Sequence, residues 1–211
     1  ICQRNKSQLL LITGPAGMGK TRLVEEAINR IPGPNVTVLT GNCYAMEAGT
    51  PYQLIADLMR KAAGLVWDQL SPAVRSDLLP LVPVLPTGDR SEAGNRSPVT
   101  LDNSIRLQEA VTQVIRQLAA QGEGLWLVSE DLHWADPASL ACLNHALRRC
   151  SDLPLMVLAT LRDEEVSFDS PLMDWPTSSV HAPAPTILIQ LPPLEREQLD
   201  HLLEPFIEQE T

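Results

Sequence analysis

The sequence has little positive charge, few aromatic residues and no long apolar run. Its 16 Lys and Arg residues are outnumbered by 26 Asp and Glu residues, which gives a formal net charge of −10. A surface of that charge repels phosphate backbones, so we expect no direct binding of nucleic acid by this segment. No run of about 18 apolar residues occurs, and no signal peptide is visible, so we expect a cytoplasmic protein without a membrane span.

Cysteine is also scarce, and its spacing excludes the common zinc sites. The four cysteines form no CxxC pair and have no His at zinc-ligand spacing, which predicts reduced thiols. Proline is more frequent, with 18 residues clustered mainly at 72–98 and 171–193, where we expect loops or boundaries. The 211 residues suit one domain, or one domain and the start of another, and the chain resembles a piece excised from a longer protein.

Short apolar runs alternate with amphipathic segments along most of the chain. This alternation predicts an α/β domain built on a parallel sheet. A further helix is expected over 50–63, with Thr50 as its N-cap and Pro51 at its first position. Residues 66–100 form a Pro-rich insert in this interpretation, with one helix near 72–79. The predicted strands are 9–13, 36–40, 125–129, 155–160 and 186–190, and the other predicted helices are 21–31, 101–121 and 137–149.

A glycine-rich segment joins the first predicted strand to the first helix. It has the GxxxxGK[ST] pattern of a P-loop, whose backbone N–H groups and helix N-terminus hold phosphates. Lys20 is then expected to reach the β- and γ-phosphates, and the Thr21 hydroxyl to bind Mg²⁺. The alternative is a glycine-rich turn that binds nothing. The expected nucleotide-binding residues are Gly14, Pro15, Ala16, Gly17, Met18, Gly19, Lys20, Thr21 and Arg22.

Two adjacent carboxylates, Glu130 and Asp131, follow the apolar run at 125–129. An acidic strand end of this kind is where a P-loop protein holds Mg²⁺ and activates water. We assign Glu130 to the metal, together with Thr21, and Asp131 to the water, although Asp is the more usual residue on the metal side. The alternative is that both carboxylates are only a solvated strand end.

The run at 155–160 ends on Thr160 and is soon followed by Arg162. Thr160 is a candidate hydrogen-bond partner for a water molecule at the nucleotide. Arg162 is a candidate sensor of the γ-phosphate, and the competing interpretation pairs it with its acidic neighbours Asp163, Glu164 or Glu165.

Five further polar or aromatic residues lie near these runs, and all of them except Trp134 have two interpretations. His133 is either a catalytic base or a packed structural residue, and Trp134 is expected to anchor packing. Asp136 before Pro137 is expected to be a helix N-cap rather than a ligand. Arg148 and Arg149 suit the C-terminal end of a helix, with an arginine-finger role as the alternative.

The chain resembles one known family over residues 8–204. It is the AAA-like ATPase module of STAND signalling proteins, found in large bacterial transcriptional activators and in multidomain cyclases and kinases. The segments that carry the resemblance are GPAGMGKTRLVEEA, GNCYAMEAGTPYQLIADLM, LVSEDLHWADPASL, LPLMVLATLRDEE and IQLPPLEREQLDHLL.

The resemblance implies both a fold and a set of roles. The fold would be a P-loop NTPase three-layer sandwich over residues 1–190, with a five-stranded sheet in the order 5-1-4-3-2. Residues 191–211 would start a truncated helical lid. The ligands would be ATP or ADP with Mg²⁺, Glu130 and Asp131 would form the Walker B site, and Arg162 would be the sensor arginine. The adenine-holding Gly-Arg-Glu segment of the family is missing, so adenine selectivity rests on the resemblance and on the absence of a guanine-reading [NT]KxD motif.

These observations lead to one expected function and two alternatives. We expect an ATP-driven switch that hydrolyses slowly inside a larger signalling or transcription-regulating protein, with other domains of that chain as partners and homo-oligomerisation on ATP binding as a further possibility. The first alternative is a nucleotide-binding interaction module without hydrolysis. The second is a P-loop small-molecule kinase, which calls for an Arg-rich lid, whereas residues 66–100 contain only Arg75, Arg90 and Arg96.

Overall fold

The computed structural model describes residues 6–30, 35–47, 49–82, 101–166, 172, 184–193, 195–196 and 198. Most of the predicted lid segment at 191–211, and both Arg90 and Arg96, lie outside these residues. Within them, no helix combines the length and the apolar character needed to cross a membrane.

Five parallel strands form one sheet at the centre of the described structure. They are β1 (Gln8–Thr13), β2 (Val36–Asn42), β3 (Gly124–Glu130), β4 (Leu155–Leu161) and β5 (Thr186–Gln190), in the order β2-β3-β4-β1-β5. Every neighbouring pair is parallel. The observed order is the one that the family resemblance implies, so that prediction is confirmed. Since all five strands run the same way, their carboxyl ends meet at one edge of the sheet.

Helices cover both faces of this sheet, which makes the three layers that were predicted. The helices are α1 (Lys20–Asn29), α2 (Gln53–Val66), α3 (Pro72–Leu78), α4 (Leu101–Gln121) and α5 (Pro137–Arg149). Side chains of α1 pack with Ile12, Val128 and Leu158 in a small core cluster on one face. Side chains of α2 to α5 form the larger cluster on the other face. The apolar runs are uninterrupted because covered parallel strands are buried on both sides, and every residue of β4 is buried.

Two details of the predicted elements differ from the structure. Thr50 does not cap α2: the helix begins at Gln53, and its N-cap residue Tyr52 has a left-handed backbone with φ of 63° and no side-chain cap. The start of this helix is instead held by a carboxylate from elsewhere in the chain, described below. The Pro-rich segment from residue 66 was predicted as an insert, but part of it belongs to the core, since Trp67, Leu78 and Val82 are buried in the large core cluster.

Candidate functional site

The P-loop lies between β1 and α1, at the edge where the carboxyl ends of the strands meet. Gly17 and Gly19 have φ values of 80° and 83°, a left-handed backbone that residues with a Cβ rarely adopt. These two turns reverse the chain within a few residues and let α1 begin at Lys20. The glycine spacing in the sequence therefore corresponds to a conformational need in the structure.

The start of α1 is suited to an anion. Its N-cap residue Gly19 has no side chain to bond the first N–H groups, and no acidic residue lies in the first turn. The first N–H groups of a helix have no partner within the helix, and they carry the positive end of its dipole. A phosphate group accepts hydrogen bonds from these N–H groups, and its negative charge is attracted to the positive end of the dipole.

Lys20 is buried, with 7% of its surface exposed, and points back into the loop. Its Nζ donates hydrogen bonds to the carbonyl oxygens of Gly14 and Pro15, both at 2.7 Å. The ammonium group is therefore held inside the curve of the P-loop, where its charge acts on whatever the loop encloses.

Thr21 and Glu130 come together across the site. The Thr21 hydroxyl donates to Glu130 Oε2 at 2.6 Å, although the two residues are 109 positions apart. Mg²⁺ prefers oxygen ligands of these types and takes few of them from the protein when it is bound with a nucleotide. The pair that sequence analysis assigned to the metal is thus adjacent in the fold, and its donor atoms fit Mg²⁺.

Asp131 is set by an unusual backbone and by a bond from the next strand. Its φ of 52° is left-handed, which turns the chain sharply as it leaves β3. Its N–H donates to the Thr160 hydroxyl at 2.9 Å. Thr160 is 2% exposed, so this oxygen supports the turn at Asp131 from the interior. Thr160 lies at the expected edge of the sheet, and the partner of its hydroxyl is the backbone N–H of Asp131.

Arg162 bridges the two acidic groups on either side of it. Its Nε lies 3.3 Å from Asp131 Oδ1, and its Nη1 donates to Glu165 Oε1 at 2.6 Å. The hydrogen bond from Arg162 lowers the pKa of Glu165, which keeps that carboxylate charged. The pairing of Arg162 with an acidic neighbour is thus observed, with Glu165 as the partner, and the role of Arg162 as a γ-phosphate sensor stays a prediction.

His133 is enclosed beside the same group. Its side chain is 1% exposed, with Nε2 at 3.2 Å from Glu165 Oε2 and Nδ1 at 4.0 Å from Asp131 Oδ1. Burial lowers the pKa of His133, and the two carboxylates oppose that shift only in part. The neutral ring lies 5.1 Å from the Trp134 ring, centroid to centroid. Such burial fits the packing interpretation better than a role as base to a water molecule.

Asp136 has the predicted role of N-cap and a second one that the sequence did not indicate. It accepts from the Ser139 N–H at 2.8 Å and so caps α5. It also accepts from the N–H groups of Tyr52 at 2.9 Å and Gln53 at 3.3 Å, at the start of α2. One buried carboxylate thus ties the loop after β3 to the helix after β2.

One of the expected nucleotide-binding residues, Arg22, does not reach the site with its side chain. Arg22 is 74% exposed on α1 and pairs with Glu26 at 2.6 Å. Arg75, considered for a kinase lid, lies over the Trp67 ring at 5.8 Å from its centroid and bonds backbone oxygens nearby.

Sequence reasoning missed one contact at the P-loop. The Ala16 N–H donates to Glu164 Oε1 at 3.1 Å. The signal was available only in part: Glu164 was noted as a neighbour of Arg162, but no pattern in the sequence indicates that it faces the loop 148 residues earlier.

Comparison with known proteins identifies the family of this arrangement. The sequence profile described as AAA ATPase domain matches residues 2–158. No curated protein matches the chain.

One of the similar solved structures shows the same fold at low identity. The ORC2 protein of Aeropyrum pernix, in ADPNP–ADP complexes, aligns with a TM-score of 0.53 at 15% identity, over 97% of this chain and 46% of that protein. Drosophila ORC bound to GC-rich DNA and Cdc6 gives 0.48 at 16% identity, over 93% and 54%. The STAND protein with a tetratricopeptide repeat sensor from Pyrococcus horikoshii gives 0.45 at 14%, over 98% and 24%. The chain therefore spans about half or less of the length of these proteins.

Proposed function

This chain belongs to the AAA ATPase domain family, and on that premise we propose that it binds Mg–ATP at the P-loop and hydrolyses it slowly as a regulatory switch. The observation that carries the proposal is the convergence of Lys20, the Thr21–Glu130 pair and Asp131 at one edge of the sheet. Lys20 and Thr21 begin α1, whereas Glu130 and Asp131 lie at the end of β3, and together they match the needs of a bound triphosphate. An isolated glycine-rich turn would not gather them.

The residues divide into a binding set and a set that acts on water. Lys20 and the N-terminus of α1 attract the phosphates, and Thr21 and Glu130 are the proposed magnesium ligands. The metal would supply charge neutralisation at the phosphate oxygens. Asp131 is the proposed group that orients or deprotonates the attacking water, and the Thr160 hydroxyl fixes the backbone that presents it.

The proposed switch extends beyond the described residues. ATP and ADP would favour different arrangements of the core and of a lid formed from residue 191 onward, and other domains of a longer signalling or transcription-regulating chain would respond. Homo-oligomerisation on ATP binding is part of the proposal. With a net charge of −10, direct contact of this segment with nucleic acid is not part of it.

A first experiment separates hydrolysis from binding. Asp131→Asn removes the charge and the proton-accepting ability but keeps the shape of the side chain. We expect Mg–ATP to bind still, while phosphate release falls by at least about tenfold, a cautious bound compared with the roughly 10²–10⁴-fold that a general base typically contributes. Glu130→Gln is the matched variant, and it should weaken the dependence on magnesium. The assignment of roles is wrong if Glu130→Gln abolishes turnover while Asp131→Asn leaves it unchanged.

One contact favours a second candidate, a nucleotide-binding module that does not hydrolyse. Arg162 lies 3.3 Å from Asp131, so the carboxylate that would contact the attacking water is held in an ion pair instead. The same measurement decides between the two candidates. Phosphate release from wild type no faster than from ATP without protein, with ATP binding intact, would favour the binding module.

A further inference from the structure

Several groups of the P-loop that a nucleotide would use have partners within the chain. Lys20 bonds two carbonyl oxygens of its own loop, and the Thr21 hydroxyl bonds Glu130. The third contact differs in kind, because the Ala16 N–H donates to a carboxylate, Glu164, at 3.1 Å. A carboxylate oxygen on a P-loop amide has the charge and the hydrogen-bonding character of a phosphate oxygen.

The position of Glu164 follows from the short turn that contains it. Asp163–Glu165 is a single 3-10 turn directly after β4 and Arg162. Within this turn Arg162 and Glu165 bond each other and face Asp131 and His133. Glu164 is exposed to solvent and directed to the P-loop instead. The turn thus presents a cation to the Walker B carboxylate and an anion to the phosphate-binding loop.

The charge at this point works against a bound nucleotide. Glu164 and a terminal phosphate oxygen would compete for the same N–H donor, and like charges at that range repel each other. Ala16 lies in the part of the P-loop next to the turn of Arg162, the proposed reader of the γ-phosphate. Repulsion is therefore expected to act on ATP more than on ADP, which lacks that group.

We propose that Glu164 is an internal competitor for the phosphate site: its carboxylate accepts the hydrogen bond from the Ala16 N–H and must leave when the terminal phosphate of ATP binds. This inference rests on the proposed function, since it assumes that ATP binds at the P-loop. With this competitor, the turn after β4 has two opposed effects on the preference for ATP over ADP. Arg162 favours ATP, and Glu164 restrains it, so the affinity ratio of the two nucleotides is set within three consecutive residues.

The test compares Glu164→Gln with a matched neighbour. Glu164→Gln removes the charge and keeps an oxygen that can accept the Ala16 N–H. Asp163→Asn makes the same charge change one residue earlier, and among the described residues the Asp163 carboxylate makes no hydrogen bond or ion pair. ATP and ADP are titrated calorimetrically against the full chain at one magnesium concentration and one ionic strength.

We expect Glu164→Gln to bind ATP about 3-fold to 30-fold more tightly than wild type, with a smaller change for ADP, as removal of one nearby like charge predicts. Asp163→Asn should change ATP affinity by less than about twofold, because exposed charges without contacts are screened. Glu164→Ala, which removes the contact and the charge, should bind ATP at least as tightly as Glu164→Gln.

The outcomes separate this inference from the function on which it rests. If wild type binds ATP and Glu164→Gln binds it no more tightly than Asp163→Asn does, the competitor role is overturned and the P-loop function stands. A loss of ATP affinity in Glu164→Gln overturns it as well, because Glu164 would then support binding. If neither wild type nor Glu164→Gln binds ATP, both proposals fail.

Discussion

The proposed discrimination between ATP and ADP depends on one side chain, that of Arg162. In the structure its guanidinium is shared between Asp131 and Glu165, and the side chain is 33% exposed. It cannot lose its proton at working pH, and it binds oxygen pairs in a fork geometry. Any contact with the γ-phosphate exists with ATP and not with ADP, so Arg162 can contribute a differential affinity, which is the quantity that shifts a two-state switch.

We therefore expect Arg162→Ala to lower ATP affinity more than ADP affinity. A ratio change of about fivefold to a hundredfold corresponds to one charge-assisted contact of roughly 1 to 3 kcal/mol. The measurement is titration of both nucleotides at one magnesium concentration. Arg30→Ala is the control, because Arg30 is 82% exposed at the far end of α1 and pairs only weakly with Glu26. An unchanged ATP-to-ADP ratio in Arg162→Ala would remove this residue from the mechanism.

Residues at the site were predictable where a local pattern dictates their chemistry. The GxxxxGK[ST] pattern identified Lys20 and Thr21 because backbone turns and helix starts are properties of neighbouring residues. The partner of Glu164 could not be identified in the same way, since the Ala16 N–H is 148 positions away in the chain. The packing of β4 against β1 decides whether a glutamate side chain in the turn after β4 faces Arg162 or the P-loop. This packing joins distant segments, so no short stretch of the sequence reveals it.

Elements show the same division between local and distant causes. The cap of α5 was predictable, because Asp136 stands immediately before Pro137. The cap of α2 was wrongly assigned to Thr50, the nearest residue of the right type. The structure uses Asp136 for both helices, and a carboxylate has enough acceptor capacity to do so. Strands were easier to predict, since burial on both faces leaves continuous apolar runs.

The double cap predicts an unusually large loss of stability when it is removed. Asp136 is 3% exposed, and Asp136→Ala would leave the N–H groups of Tyr52, Gln53 and Ser139 without their acceptor. A single lost N-cap costs about 1 kcal/mol, and buried donors left unpaired add roughly 1 to 3 kcal/mol more. We therefore expect a loss of about 3 kcal/mol in the free energy of unfolding, measured by urea titration.

Ser71→Ala is the comparison for this effect. Ser71 caps only α3, by accepting from the Val74 N–H at 3.4 Å. Its removal should cost about 0.5 to 1 kcal/mol, as an ordinary cap does. Equal losses in the two variants would show that Asp136 does no more than a single cap, and would contradict the connection between the loop after β3 and α2.

At the scale of the whole molecule, the site follows from the direction of the strands. Five parallel strands bring their carboxyl ends to one edge, so the P-loop after β1, the carboxylates at the end of β3 and the arginine after β4 meet there. The family and the sheet order agree with this arrangement. The whole chain is strongly acidic, with a net charge of −10, so an anionic nucleotide needs a local cation. Within the P-loop, that cation is Lys20.

The most direct test of the account is the affinity of Mg–ATP for wild type and for Lys20→Ala, measured by titration calorimetry. Lys61→Ala is the control, since Lys61 carries the same charge on α2, is 45% exposed and pairs with Asp57. Thermal unfolding of each variant verifies that it is folded. The account predicts that Lys20→Ala weakens ATP binding by at least about tenfold, or roughly 1.4 kcal/mol, while Lys61→Ala leaves it unchanged. Equal ATP affinity in wild type and Lys20→Ala would contradict binding at the P-loop.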